Sequence, residues 1–142
     1  MSNQPIIVEK VVNAPVTRVW KAITDLKQMK EWYFDMPAFE AKKGFEFTFE
    51  GGTKDQKFTH ICKITEVVEN KKLQHTWGYK GYDGLSTVTW ELTDMGSKTK
   101  VKLTHTGLET FPPIEAFARK NFETGWNSIV GDLLPKYTEK QG

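Results

Sequence analysis

Ala14-Pro15-Val16-Thr17-Arg18-Val19-Trp20-Lys21-Ala22-Ile23-Thr24-Asp25, leading to Trp32-Tyr33, and Gly125-Trp126 near the other end bracket a chain that otherwise reads as antiparallel strands. Val16, Val19, Trp20 and Ile23 recur at i, i+3, i+4 and i+7, so the first block is a short helix with one buried stripe and a proline in its first turn. Asp25 is placed to cap a second short helix through about Lys30, with Trp32, Tyr33 and Phe34 as an aromatic cluster before Pro37. Near the carboxyl end Pro112-Pro113 reopens helix, and Phe122, Trp126, Ile129, Val130, Leu133 and Tyr137 hold a stripe of helical period. A helix from Phe122 to Tyr137 would be about 24 Å long, enough to cross several strands. Gly125 and Gly131 inside it, each about 1 kcal/mol less favourable than alanine, predict close backbone approach to the sheet or to a ligand. Pro135 predicts a kink, because its ring meets the carbonyl of Gly131.

Between these blocks the period changes to two. Ile6 to Val12 is β-branched and apolar, and Phe45-Glu46-Phe47-Thr48-Phe49-Glu50 puts three phenylalanines on one face and two carboxylates on the other before Gly51-Gly52 turns the chain. Further strands read at Lys57 to Val67, Lys72 to Tyr79, Leu85 to Leu92 and Lys98 to His105, separated by turn signals at Glu69-Asn70, at Gly81 with Asp83-Gly84, and at Asp94 to Ser97. The sum is an α+β chain: a curved antiparallel sheet of about six or seven strands around a long C-terminal helix, with two short helices after the first strand.

Bulk properties narrow the function. The 142 residues suit one domain, 1–142, and 20 Lys and Arg against 18 Asp and Glu leave a net charge of +2, too balanced a surface to attract nucleic acid. Lys98, Lys100 and Lys102 alternate with Thr99, Val101 and Leu103, which describes a solvated strand face guarded against edge pairing. A single cysteine, Cys62, and an amino terminus without basic and apolar signal regions point to a cytoplasmic protein, and no apolar run is long enough for membrane insertion.

Candidate chemistry is sparse. His60, His75 and His105 fall on different strands, each with apolar neighbours by parity, and none has the local spacing of a metal site, so no metal and no cofactor is expected. His60 and Cys62 are two apart on one strand, about 6.7 Å between α-carbons, too far for a nucleophile and its base, and Cys62 reads as a small buried hydrophobe. Glu46, Glu50 and Glu91 alternate away from the apolar positions. Trp20 belongs to the core. The remaining aromatic set is the stronger signal, because a long helix over a curved sheet can enclose a cavity. Trp32, Phe47, Trp77, Trp90, Phe122 and Trp126, with Val130 beside them, would wall it, and His60 and His105 would orient a ligand.

The ordered set Ala14-Pro15, Val19-Trp20, Ile23-Thr24-Asp25, Trp32, Gly44-Phe45, Leu73, Trp77, Ser86 to Leu92, Thr99 to Gly107, Gly125-Trp126, Leu133-Leu134 and Tyr137 resembles the START-like (SRPBCC) superfamily. Within it the nearest resemblance is to proteins homologous to the C-terminal domain of the activator of the heat-shock protein 90 ATPase. The resemblance implies the helix-grip fold. For function it implies a scaffold shared by lipid carriers, hormone receptors, cyclases and chaperone cofactors. The full activator looks like a two-domain protein whose separate amino-terminal domain engages the chaperone, and the expectation from 142 residues is that this domain is lacking. The expectation is therefore a monomer or weak dimer that binds a small apolar or amphipathic molecule. Two alternatives stand beside it: a protein-interaction or chaperone-cofactor module, and a ligand-modifying enzyme using the same cavity.

Overall fold

The computed structural model describes residues 4–33, 38–52 and 57–140. Strand β1 (Ile6–Val12) and helices α1 (Val16–Thr24) and α2 (Leu26–Trp32) come first, followed by β2 (Glu46–Gly52), β3 (Lys57–Val68), β4 (Lys72–Tyr79), β5 (Ser86–Asp94) and β6 (Thr99–Thr106). They form one six-stranded antiparallel sheet in the order β1-β6-β5-β4-β3-β2. Strands β2 to β6 follow one another as a meander. The first strand then closes on the last, from Ile6 opposite His105 to Val12 opposite Thr99. The period-two reading is visible in the burial: Leu73, His75, Trp77 and Tyr79 on β4, and Val101, Leu103 and His105 on β6, all face the core.

Both short helices form as their sequence dictates. The apolar stripe of α1 is buried, and the Asp25 carboxylate accepts the backbone N–H of Lys27 at 3.0 Å, capping α2. Phe34 and Pro37, expected beside Trp32, lie outside the described residues.

Several local expectations are corrected. Gly51 and Gly52 do not turn the chain but stay in β2, paired with Phe58 and Lys57. A Cβ on Gly51 would lie 2.8 Å from the His60 ring, so that glycine makes room for a side chain within the strand. Strand β6 is no edge, since it lies between β1 and β5. Leu85 precedes β5 and is exposed. Pro112-Pro113 does not reopen an α-helix: single 3-10 turns occupy Leu108–Thr110 and Glu115–Phe117, and α3 begins only at Arg119. Proline at 112 favours extended backbone at the preceding residue, and Phe111 has φ −81° and ψ 154°.

The largest departure lies in the C-terminal helix, which consists of α3 (Arg119–Ser128), one wide π turn (Ile129–Leu133) and α4 (Leu134–Lys140). Through the wide turn the N–H of Leu134 donates to Ile129 O, five residues back. The buried face consequently advances by fours, through Phe122, Trp126, Val130, Leu134 and Thr138, while Leu133 is 42% exposed and Tyr137 only half-buried. Pro135 falls in the first turn of α4, where its missing N–H costs little, and the wide turn is the break that its ring demands. Gly125 and Gly131 have open space where a Cβ would stand, contrary to the close approach expected of them.

This shifted register predicts opposite costs for neighbouring leucines. In urea titrations Leu134→Ala should lose about 2–5 kcal/mol of stability and Leu133→Ala less than about 1 kcal/mol. An unbroken α-helix with Leu133 in its stripe would reverse that order.

Candidate functional site

The inner face of the sheet carries all three histidines, and the structure gives each a different situation. His105 lies at the centre of a hydrogen-bond chain. The Trp126 indole N–H donates to His105 Nδ1 at 2.9 Å, His105 Nε2 is 2.7 Å from Ser86 Oγ, and the Ser86 hydroxyl donates to Trp77 O at 2.9 Å. One tautomer satisfies every link: Nδ1 accepts, Nε2–H donates to the serine oxygen, and the serine proton goes on to the carbonyl. Both ring nitrogens are engaged within the protein, and burial, with His75 nearby, holds the His105 pKa down at about 3. The ring is neutral. Around it Trp126 packs at 5.4 Å from Trp77 and 6.0 Å from Trp90, centroid to centroid.

His60 sits toward the β2 edge, stacked on Phe49 at 4.5 Å, with Nδ1–H donating to Phe58 O at 3.1 Å. Burial lowers its pKa to about 4, against the opposing pull of the Phe58 and Phe49 backbone and of Glu50. Cys62 is buried on the same strand face, and burial pushes its thiol up, so it stays protonated. Among the described residues no group of three or more His, Cys, Asp or Glu could hold a metal ion.

His75 borders open space. A cavity of about 10 Å³ is lined by Ile23, Met29, Trp32, Tyr33, Phe39, Phe47, Leu73, His75 and Trp90. That is room for about one water molecule. It lies where α1 and α2 meet β2, β4 and β5. Trp32 is pinned there by its indole N–H, which donates to Ala22 O at 2.8 Å. Phe39, in the connection between α2 and β2, closes the cavity with its ring 5.0 Å from Phe47 in a T-shaped contact. The ring of His75 donates from Nδ1 to Thr76 O at 2.9 Å, and burial lowers its pKa to about 4.

Of the nine residues read from the sequence as cavity walls, the structure thus brings Trp32, Phe47 and Trp90 together at this cavity. Phe122, Trp126 and Val130 form the buried face of the C-terminal helix, with Trp77 and His105 on the strands against Trp126, and His60 lies apart. Sequence reasoning had not placed Ile23, Met29, Tyr33, Phe39, Leu73 or His75 there. The parity argument that put His75 on the inner face was the available signal for it. A second aromatic group went unread: Phe117 stacks on Tyr79 at 4.5 Å, Phe111 packs on both, and these rings fill the far end of the sheet from the 3-10 segment.

The family described as Activator of Hsp90 ATPase homolog 1-like protein matches residues 13–139, and the chain belongs to it. Among solved structures it resembles CV1439 from Chromobacterium violaceum, with a TM-score of 0.81 at 21% identity over 98% of this chain and 99% of that one. DynU16, a protein in the dynemicin biosynthetic locus, gives a TM-score of 0.80 at 22% identity over 99% of this chain, which spans only 49% of DynU16. CalU16 from Micromonospora echinospora gives 0.72 at 21% identity, covering 96% of this chain and 77% of that one. These likenesses show the helix-grip fold. No curated protein matches the chain. Among the described residues no helix is long and apolar enough to cross a membrane.

Two measurements check this electrostatic picture. All three histidines have folded-state values below the ordinary 6.5 of an unfolded chain, so on acidification the unfolded state takes up protons that the native state refuses. Their stabilising contribution is therefore full above about pH 7 and is lost as pH falls from about 6.5 toward 4, by up to about 1.4 kcal/mol per pH unit for each ring. Urea midpoints across that range should show the decline, shallower in His75→Phe. Trp126→Phe and Ser86→Ala should each cost about 1–3 kcal/mol by stranding a buried His105 nitrogen, and the double variant should cost less than their sum because both act on one ring.

Proposed function

We propose that this chain binds a small apolar or amphipathic molecule at the α2–β2 end of the sheet, with Phe39 as the side chain that a ligand displaces. The observation that carries the reading is the cavity there, walled almost wholly by apolar and aromatic side chains with one histidine at its border. Sites for small molecules usually enclose about 300 Å³ or more, so the bound state needs the cavity opened. Of the wall residues only Tyr33 and Phe39 belong to neither a helix nor a strand, and Phe39 is the one farther from an element end. Trp77, His105, Phe122, Trp126 and Val130 then support the site from beneath rather than touching the ligand, and His60 stands outside it.

A protein-interaction role is the second reading, favoured by the family and by Leu85 and Ile61, 57% and 43% exposed on either side of Gly78 on the outer sheet face. Native mass spectrometry with a tryptophan-fluorescence titration of fatty acids, sterols and flavonoids separates the two. Saturable quenching is expected through Trp32 and Trp90, and Phe39→Ala should tighten binding several-fold by sparing the ligand the displacement. Silence from both folded proteins across the panel would reject the binding reading.

A further inference from the structure

Resting on the ligand-binding reading above, we infer that the site selects an uncharged molecule bearing a hydroxyl that donates a hydrogen bond to His75 Nε2, and that it rejects carboxylates. The argument starts from the tautomer. A carbonyl oxygen can only accept, so the contact between His75 Nδ1 and Thr76 O places the ring proton on Nδ1. Nε2 is then a bare acceptor. His75 lines the cavity, and among the described residues Nδ1 is the ring nitrogen with a hydrogen-bond partner. What the wall offers a polar ligand at this point is therefore a lone pair, which calls for an O–H or N–H.

Charge gives the second half of the selection. The nine lining residues include no lysine or arginine, and His75 stays neutral at pH 7 because burial opposes its protonation. Tyr33 on the same wall also stays neutral, since burial raises its hydroxyl well above the ordinary value. A carboxylate entering here would lose its hydration with no cation to replace it, a far larger penalty than that for a hydroxyl given one acceptor. The same lone pair would repel it. An ether of the same shape would fit but leave the acceptor unmet.

Three probes of one skeleton test this by isothermal titration calorimetry at pH 7: 4-butylphenol, 4-butylanisole and 4-butylbenzoate. The phenol should bind about fivefold or more tighter than the anisole, the net gain of one neutral hydrogen bond, with the benzoate weakest. His75→Phe should bring phenol and anisole within about twofold of each other, and His75→Gln, which keeps an acceptor, should restore part of the preference. Should His75→Phe not fold, the wild-type protein still answers: the Nε2 resonance of His75 should move on adding the phenol and stay in place with the anisole. Equal binding of phenol and anisole, an unmoved Nε2 resonance, or a tightest-binding benzoate would overturn the inference while leaving the cavity as a binding site. Failure of all three probes on folded protein would overturn the cavity reading and this inference with it.

Discussion

A long helix can be held over a sheet by apolar contact alone, but apolar contact is non-directional and does not fix how far the helix slides or turns. The Trp126–His105–Ser86–Trp77 chain supplies the missing direction. Its links run from α3 to β6, to β5 and to β4, so one hydrogen-bond path ties the helix to three adjacent strands. Every polar atom in the path is met, and with Ser86 and His105 almost wholly buried, that completeness decides whether the chain stabilises or destabilises. Neutral histidine suits the task because it donates on one side and accepts on the other. A protonated ring would have two donors, and the indole N–H would then face a donor.

From that anchor the rest of the helix has to keep contact with the sheet over further turns. Steps of four residues drift around an α-helix of 3.6 residues per turn, so Trp126, Val130 and Leu134 could not all face the core of a regular helix for long. The wide turn at Ile129–Leu133 absorbs the drift, and Pro135 sits immediately behind it, where an α-helical N–H would otherwise be required. The helix is therefore shaped to its sheet by one local irregularity, and Leu134 and Thr138 reach full burial because of it.

That irregularity also marks the limit of what could be read from the residues. The strands were legible because alternation is local: Phe45 to Glu50 or Lys98 to His105 declare their faces without reference to anything else. Both short helices were legible for the same reason. The register after Ile129 was not, since Ile129, Leu133 and Tyr137 also fit an unbroken helical stripe and only the sheet beneath selects between the two. Gly51 was read as a turn because the ring that needs its missing Cβ belongs to His60, on the neighbouring strand. The aromatic content of the interior was legible, but not its partition into a filled region under α3 and a small space beside α2. That partition depends on Phe39 and Phe117, which sit in irregular segments without periodicity.

Filling of the interior has a consequence for binding. On the proposed reading, a cavity that holds about one water molecule when closed admits a larger molecule in a conformation where Phe39 has left it, and that conformation gives up the contacts with Phe45 and Phe47. Any ligand's apparent affinity is then its intrinsic affinity reduced by the fraction of molecules already open. The aromatic walls set both quantities in opposite directions, since rings that would grip a ligand also grip Phe39. A polar contact escapes this opposition, because Phe39 offers His75 nothing that a hydroxyl would have to replace. On such a site apolar surface supplies capacity to bind, and discrimination between molecules of similar shape falls to polar contacts such as the His75 lone pair.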